Sequence, residues 1–159
     1  MKLEMQETII KVLKLPHYVE NEVNLKYSTP DAVCFDICAA VTEPVVLKAG
    51  ERFAVPTGVK FIPEYPIWCR INSRSGLALK AGLIAIGGII DTDYRGEIKV
   101  ILLNTNNQAG TDYVINPGER IAQVEVPFPY RARFEEISAK EFEKHGTMRG
   151  EGGFGSTGK

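Results

Sequence analysis

Short apolar runs alternate with turn residues along this chain, and stretches of helical period are scarce. Ile9–Leu15, Val33–Ala39, Val45–Leu47, Arg52–Val55 and Val59–Ile62 read as strands. Ile67–Ile71, Glu97–Leu103, Asp112–Ile115 and Arg120–Val126 continue the series. Between them stand Pro44, Ala49-Gly50, Pro56-Thr57-Gly58, Pro63 and Asn116-Pro117-Gly118, each a turn with its own backbone chemistry. Strands recurring about every 8–12 residues predict an all-β sandwich, barrel or jelly roll. Leu77–Lys80 reads as one helical turn. Ser138 and Glu141 have capping-box spacing, which predicts a short helix over 139–145. The C-terminal stretch differs in kind: Gly150–Gly158 holds five glycines and one large apolar group, Phe154. Such a segment loses too much backbone entropy to fold unaided and is expected to move until something holds it.

Composition narrows the function more than the fold. The length, 159 residues, suits one domain, and 44% hydrophobic with 25% charged residues is a globular balance. A net charge of -1 argues against a protein that neutralises a nucleic-acid backbone, so no nucleic-acid partner is expected. The apolar run Ala81–Ile90 falls far short of the ~20 residues that span a bilayer, and no membrane partner is expected either. Three cysteines, an odd count, read as a reducing compartment, and the acidic N-terminus lacks the apolar core of a signal peptide. The expectation is a soluble, intracellular, cytoplasmic protein. His17 and His145 are the only histidines, so a multi-His zinc site cannot form within one chain. Hydrolytic chemistry would rest on carboxylates and cations.

Several segments carry such groups, each with a bland reading beside the chemical one. Cys34, Asp36 and Cys38 share one face of a strand, either as a metal site or as buried thiols beside a carboxylate with a separate task. Arg70, Arg74, Ser75 and Gly76 follow a strand in what reads as an irregular stretch, suited to phosphate or simply solvated. Asp91-Thr92-Asp93-Tyr94-Arg95-Gly96-Glu97 follows the apolar Leu83–Ile90 run. Desolvation there would favour a general base, while the alternative is a charged turn. Gln123, near a turn, could orient a water or touch phosphate. In the tail, Gly153-Phe154-Gly155-Ser156-Thr157-Gly158 fits a dinucleotide pattern, yet neither the leading strand nor the following helix that such loops need is expected.

Taken in order, five segments resemble the five motifs of the trimeric deoxyuridine triphosphate nucleotidohydrolases, the dUTPases. They are Ala32–Ala40, Arg74-Ser75-Gly76-Leu77-Ala78, Gly88–Gly96, Gly118–Gln123 and Arg149–Gly158. Cys34 stands where that family usually has Gly, and Asn72-Ser73 replaces the usual Ala-Pro. The resemblance implies a jelly-roll-like β-barrel over 1–148 with one short helix, and a flexible Gly-rich arm, 149–159, that closes over the active site. It also implies a homotrimer with shared active sites. The reaction would be Mg²⁺-assisted hydrolysis of dUTP to dUMP and pyrophosphate, which limits uracil in DNA and supplies dUMP for thymidylate synthesis.

The same resemblance assigns roles. Asp91 becomes the general base, and Asp36 acts on the metal through water. Arg74, Ser75 and Gln123 hold phosphates, Gly76 binds substrate beside them, and Arg149 arrives with the tail as a further substrate-binding residue. Backbone of Gly88, Ile89 and Ile90, on a hairpin from Leu83 to Ile90, reads the uracil edge, with Lys99 beside the base. Tyr94 packs on the deoxyribose, and Phe154, followed by Gly155, stacks on the uracil. Relatives of this fold that deaminate dCTP, and a dUTP-sensing partner of another protein, are the competing functions.

Overall fold

In the computed structural model of the protein, residues 6–127 and 130–152 are described. The strands are β1 (Gln6–Lys14), β2 (Cys34–Cys38), β3 (Val45–Leu47), β4 (Arg52–Pro56), β5 (Val59–Pro63) and β6 (Cys69–Asn72). After helix α1 (Ser75–Ala81) come β7 (Leu83–Ile86), β8 (Ile89–Ile90), β9 (Lys99–Asn104), β10 (Tyr113–Ile115), β11 (Arg120–Glu125) and β12 (Tyr130–Glu136), then α2 (Ala139–Glu143). They form four small sheets, ordered β12-β1-β5, β10-β3, β2-β11-β6-β8 and β4-β9-β7. The result is the all-β, jelly-roll-like fold that the strand spacing allowed. No helix among the described residues is long and apolar enough to cross a membrane.

Four differences from the sequence reading have physical causes. Strand β12 was not foreseen; it pairs in parallel with β1, from Gln6 opposite Tyr130 to Val12 opposite Glu136. Helix α1 is longer than one turn, because Leu77-Ala78-Leu79-Lys80-Ala81 are strong helix formers and Gly82 closes the end in a left-handed conformation, φ 66°. With α2, whose Ser138 hydroxyl accepts from the Glu141 N–H at 3.2 Å, the described fold has the two short helices read from the residues, where the family resemblance implied one. Finally, β7 and β8 do not pair as a hairpin. The chain turns at Gly87, φ 63°, and sends β7 to β9 and β8 to β6.

The core explains why the sheets hold together. Phe35 of β2, Phe61 of β5 and Phe134 of β12 meet edge-on or tilted, with Phe35–Phe134 centroids 5.0 Å apart. Tyr27 adds an edge contact to Phe35 at 5.8 Å, and its hydroxyl accepts from the Ala132 N–H at 3.1 Å. Around them Ile10, Ile37, Val55, Leu83, Leu102 and Ile121 are fully buried.

All three thiols are free: Cys34 is half-buried, Cys38 and Cys69 buried. Burial pushes the Cys69 thiol up to about 12 and raises Cys34 and Cys38 as well. Since the thiolate is the reactive form, iodoacetamide should label Cys34 first and Cys69 at least ~10-fold more slowly until the chain unfolds. Mass-spectrometric labelling kinetics check this; early labelling of Cys69 would contradict the burial.

Candidate active site

The sheet β2-β11-β6-β8 carries the first group of predicted residues. Register places Asp36 opposite Gln123 and Gln123 opposite Asn72, the last residue of β6, and Arg74 follows two residues beyond that strand end. Asp36 is buried, with 8% of its surface exposed, and three side chains converge on its carboxylate. Arg74 Nε stands 3.3 Å from Oδ1, and Arg120 Nη1 donates to Oδ2 at 3.2 Å. The Ser28 hydroxyl donates to Oδ2 at 3.3 Å, and Arg74 Nη1 also donates to the Arg120 carbonyl at 3.2 Å. Asp36 and Arg120 line a cavity of about 270 Å³ with Glu22, Lys26, Tyr27 and Ser28.

The free edge of β2 is closed by a loop. Leu25 N–H donates to the Asp36 carbonyl at 2.8 Å, and Asp36 N–H donates to the Lys26 carbonyl at 3.0 Å. Leu25 adopts φ 59°, unusual for a residue with a branched side chain. The two backbone hydrogen bonds to Asp36 hold that conformation in place. Arg120 and Ser28 were not singled out from sequence. Their approach to Asp36 depends on strand register and on a bulge between Arg120 and Ala122, which local pattern does not reveal.

Arg70 does not sit in an irregular stretch. It lies inside β6, paired with Glu125 at 3.3 Å and stacked 5.2 Å from the Trp68 ring centre. Ser75 and Gly76 open α1 instead of lying in a loop. No cluster of three or more His, Cys, Asp or Glu side chains that could hold a metal occurs among the described residues, and Cys34 and Cys38 are free thiols.

A second group gathers elsewhere. Gly87, Ile89, Ile90, Asp91, Tyr94, Lys99, Ile101 and Arg149 line a cavity of about 210 Å³. Its floor is apolar, and Asp91 and Arg149 form an ion pair at its side, with Asp93 3.6 Å from the same guanidinium. Asp91 follows the apolar run as expected, but its side chain is half exposed and so lacks the burial anticipated for it. Tyr94 is buried; its hydroxyl donates to the Glu97 carbonyl at 3.0 Å, and Arg149 lies 5.4 Å over its ring. Burial raises the Tyr94 phenol above its ordinary pKa.

The segment around Arg149 is fastened to this loop by backbone. Arg95 N–H donates to the Gly150 carbonyl at 2.8 Å, and the Thr147 hydroxyl donates to the Asp93 carbonyl at 2.8 Å. Gly88 supplies the close approach that the turn needs, since its carbonyl accepts from Ile71 N–H at 2.7 Å. A Cβ there would collide with the Ile71 carbonyl oxygen. Gly88→Ala is therefore expected to destabilise by about 1–3 kcal/mol. A denaturant midpoint equal to wild type would show that β6 and β8 can part without cost.

The predicted residues thus fall into two groups on one chain: Asp36, Arg74 and Gln123, with Ser75 and Gly76 alongside, and then Gly88, Ile89, Ile90, Asp91, Tyr94, Lys99 and Arg149. Phe154 and Gly155 lie outside the described residues. A dUTPase family model matches residues 21–158. A Rickettsia akari protein named deoxyuridine 5'-triphosphate nucleotidohydrolase is 42% identical over 156 residues, covering 97% of this chain and 99% of the relative. The chain belongs to the dUTPase family.

Another dUTPase relative, from Fusobacterium nucleatum and bearing the same name, is 41% identical over 160 residues, covering 98% of this chain and all of its own. Among solved structures, a mutant dUTPase of Staphylococcus bacteriophage 80alpha with dUpNHpp aligns at a TM-score of 0.65 and 25% identity. That alignment covers 94% of this chain and 98% of the other.

Proposed function

We propose that this protein is a dUTP diphosphatase, which hydrolyses dUTP to dUMP and pyrophosphate with Mg²⁺. The observation that carries the reading is the apolar-floored cavity with Asp91, Tyr94, Lys99 and Arg149 at its wall. Such a cavity suits a nucleoside that ends in an anionic chain. Backbone of Gly88, Ile89 and Ile90 reads the uracil edge, and Lys99 stands beside the base. Tyr94, fixed through its hydroxyl, fills the space that a 2′-hydroxyl would need. Asp91 takes a proton from water as the water oxygen bonds to the α-phosphorus, and the bond from that phosphorus to the bridging oxygen breaks to release pyrophosphate.

Arg74, Ser75, Gly76, Gln123 and Arg149 hold the phosphates, with forked guanidiniums matched to their oxygens. Asp36 presents hard carboxylate oxygens at a cavity wall, yet both of them already face arginines. That donor set fits a magnesium ion carried on the triphosphate and touched through water more than a cage of direct ligands. When bound, Mg²⁺ would neutralise charge that builds on the phosphate oxygens. Phe154 and Gly155 belong to the arm that we expect to close over the base.

Two groups on one chain suggest that a complete site draws on more than one copy, and we propose a homotrimer with shared sites working in the cytoplasm. There it would limit uracil in DNA and feed thymidylate synthesis. The deciding measurement is pyrophosphate release from dUTP with Mg²⁺, beside dCTP, dTTP and UTP, with sedimentation of the same sample. Rapid release from dUTP alone, at a trimer mass, is the expected result. Deamination of dCTP, or dUTP binding with no turnover, would overturn the hydrolase reading, and a monomer mass would overturn the shared site.

A further inference from the structure

Ser73 joins three segments that the sequence keeps apart. It lies between the end of β6 and Arg74. Its hydroxyl oxygen accepts from the Ala85 N–H at 2.8 Å and also lies 3.5 Å from the Ala85 carbonyl oxygen, to which it donates. Its own carbonyl accepts from Gln123 Nε2 at 3.0 Å.

The need for that hydroxyl follows from the topology. β7 is the edge strand of the β4-β9-β7 sheet, with β9 on one side only. The neighbouring β6–β8 ladder runs through Cys69–Ile90 and Arg70–Ile89, and its last backbone link is Ile71 N–H to the Gly88 carbonyl. At Gly87 the chain turns away, so no backbone carbonyl of β6 continues the ladder toward Ala85. The Ala85 N–H is part-buried, where an unpaired donor is costly, and the Ser73 hydroxyl supplies one more rung from a side chain.

We infer that Ser73 is a positioning residue that fixes the turn at Gly87-Gly88 and the Arg74 loop in one rigid arrangement. This rests on the functional reading above, in which the turn reads the base and Arg74 with Gln123 holds phosphate. Ser73 itself touches neither end of the nucleotide in that reading. Its hydroxyl sets the attitude of β7, which leads directly into the turn. Its carbonyl fixes the Gln123 amide and the peptide that enters Arg74. Removing the hydroxyl leaves the carbonyl contact to Gln123 but cuts the tie between β7 and the peptide entering Arg74, so base selection and phosphate binding loosen together, a signature that a contact at only one end would not give.

The test compares the full-length wild type with Ser73→Ala and Ser73→Thr. For Ser73→Ala the expected result is a KM for dUTP raised about tenfold, with a similar fall in the preference for dUTP over dCTP and dTTP, and kcat less affected. Ser73→Thr keeps the oxygen and should restore both. A change in KM with selectivity intact, no change in either, or no rescue by Thr would overturn the inference. Should Ser73→Ala fail to fold, amide exchange in the wild type decides: the Ala85 N–H should be protected about as well as that of Ile71, and exchange more than ~10-fold faster would overturn it. A wild type that does not hydrolyse dUTP overturns the functional reading and this inference with it. Hydrolysis by a wild type whose Ser73→Ala variant behaves identically overturns only the inference.

Discussion

Asp91→Asn is expected to slow dUTP hydrolysis by about 10²–10⁴-fold, the range a positioned general base contributes. The substitution keeps the shape of the side chain and removes its ability to accept a proton from water. It also weakens the pairing with Arg149, but that pair is partly solvated, and such pairs contribute only ~0–1 kcal/mol. The barrel should therefore melt as the wild type does. Binding of dUTP should survive, because the cavity floor of Ile89, Ile90 and Tyr94 is untouched. Single-turnover kinetics with excess enzyme isolate the chemical step from product release. A loss below about tenfold, with binding unchanged, would remove Asp91 from the role of base and point to another acceptor near the attacking water.

Chemistry-bearing residues were legible in this sequence; their partners were not. Asp36, Arg74, Asp91 and Gln123 stand out as types in suggestive local order. Whether they meet depends on register, and register is set by pairings between distant segments. Arg120 reaches Asp36 across 84 positions through a bulged pairing, and nothing local marks Arg120 apart from other surface arginines. Ser73 stands out in sequence only as a replacement for the usual Pro, yet in space its oxygen ties the peptide entering Arg74 to β7.

Fold features divide in the same way. Turn-bounded strands such as Val45–Leu47 were read with their observed limits, because Pro44 and Ala49-Gly50 punctuate the chain beside them. β12 was missed, although Tyr130, Ala132 and Phe134 alternate with charged residues in a period of two. The charge density of Arg131, Arg133, Glu135 and Glu136 hid a strand whose inner face packs Phe134 against Phe35. The family resemblance implied a hairpin over Leu83–Ile90, and because all its residues are apolar or Gly no local pattern contradicts it. Only the close approach of Gly88 to Ile71 decides that its second half joins β6.

Removing Arg149 is expected to cost about 10²–10³ in kcat/KM, the usual effect of deleting one donor to charge that develops during reaction. Its guanidinium rests on Asp91, near Asp93 and over the Tyr94 ring, at the wall of the cavity. Those contacts are weak enough for a triphosphate to displace. A polyanion entering the cavity would draw the cation from Asp91, which frees the carboxylate as it gains a phosphate contact. Arg149→Ala and a chain ending at Met148 should therefore both fold with near-normal thermal midpoints and turn over slowly. Arg149→Lys should recover only part of the rate, because a single ammonium lacks the forked geometry that grips two oxygens. The truncated chain should be slower than Arg149→Ala, since the stacking proposed for Phe154 is removed with it. Equal rates for those two variants would confine the arm's role to Arg149, and full activity in the truncated chain would sink the proposed closure altogether.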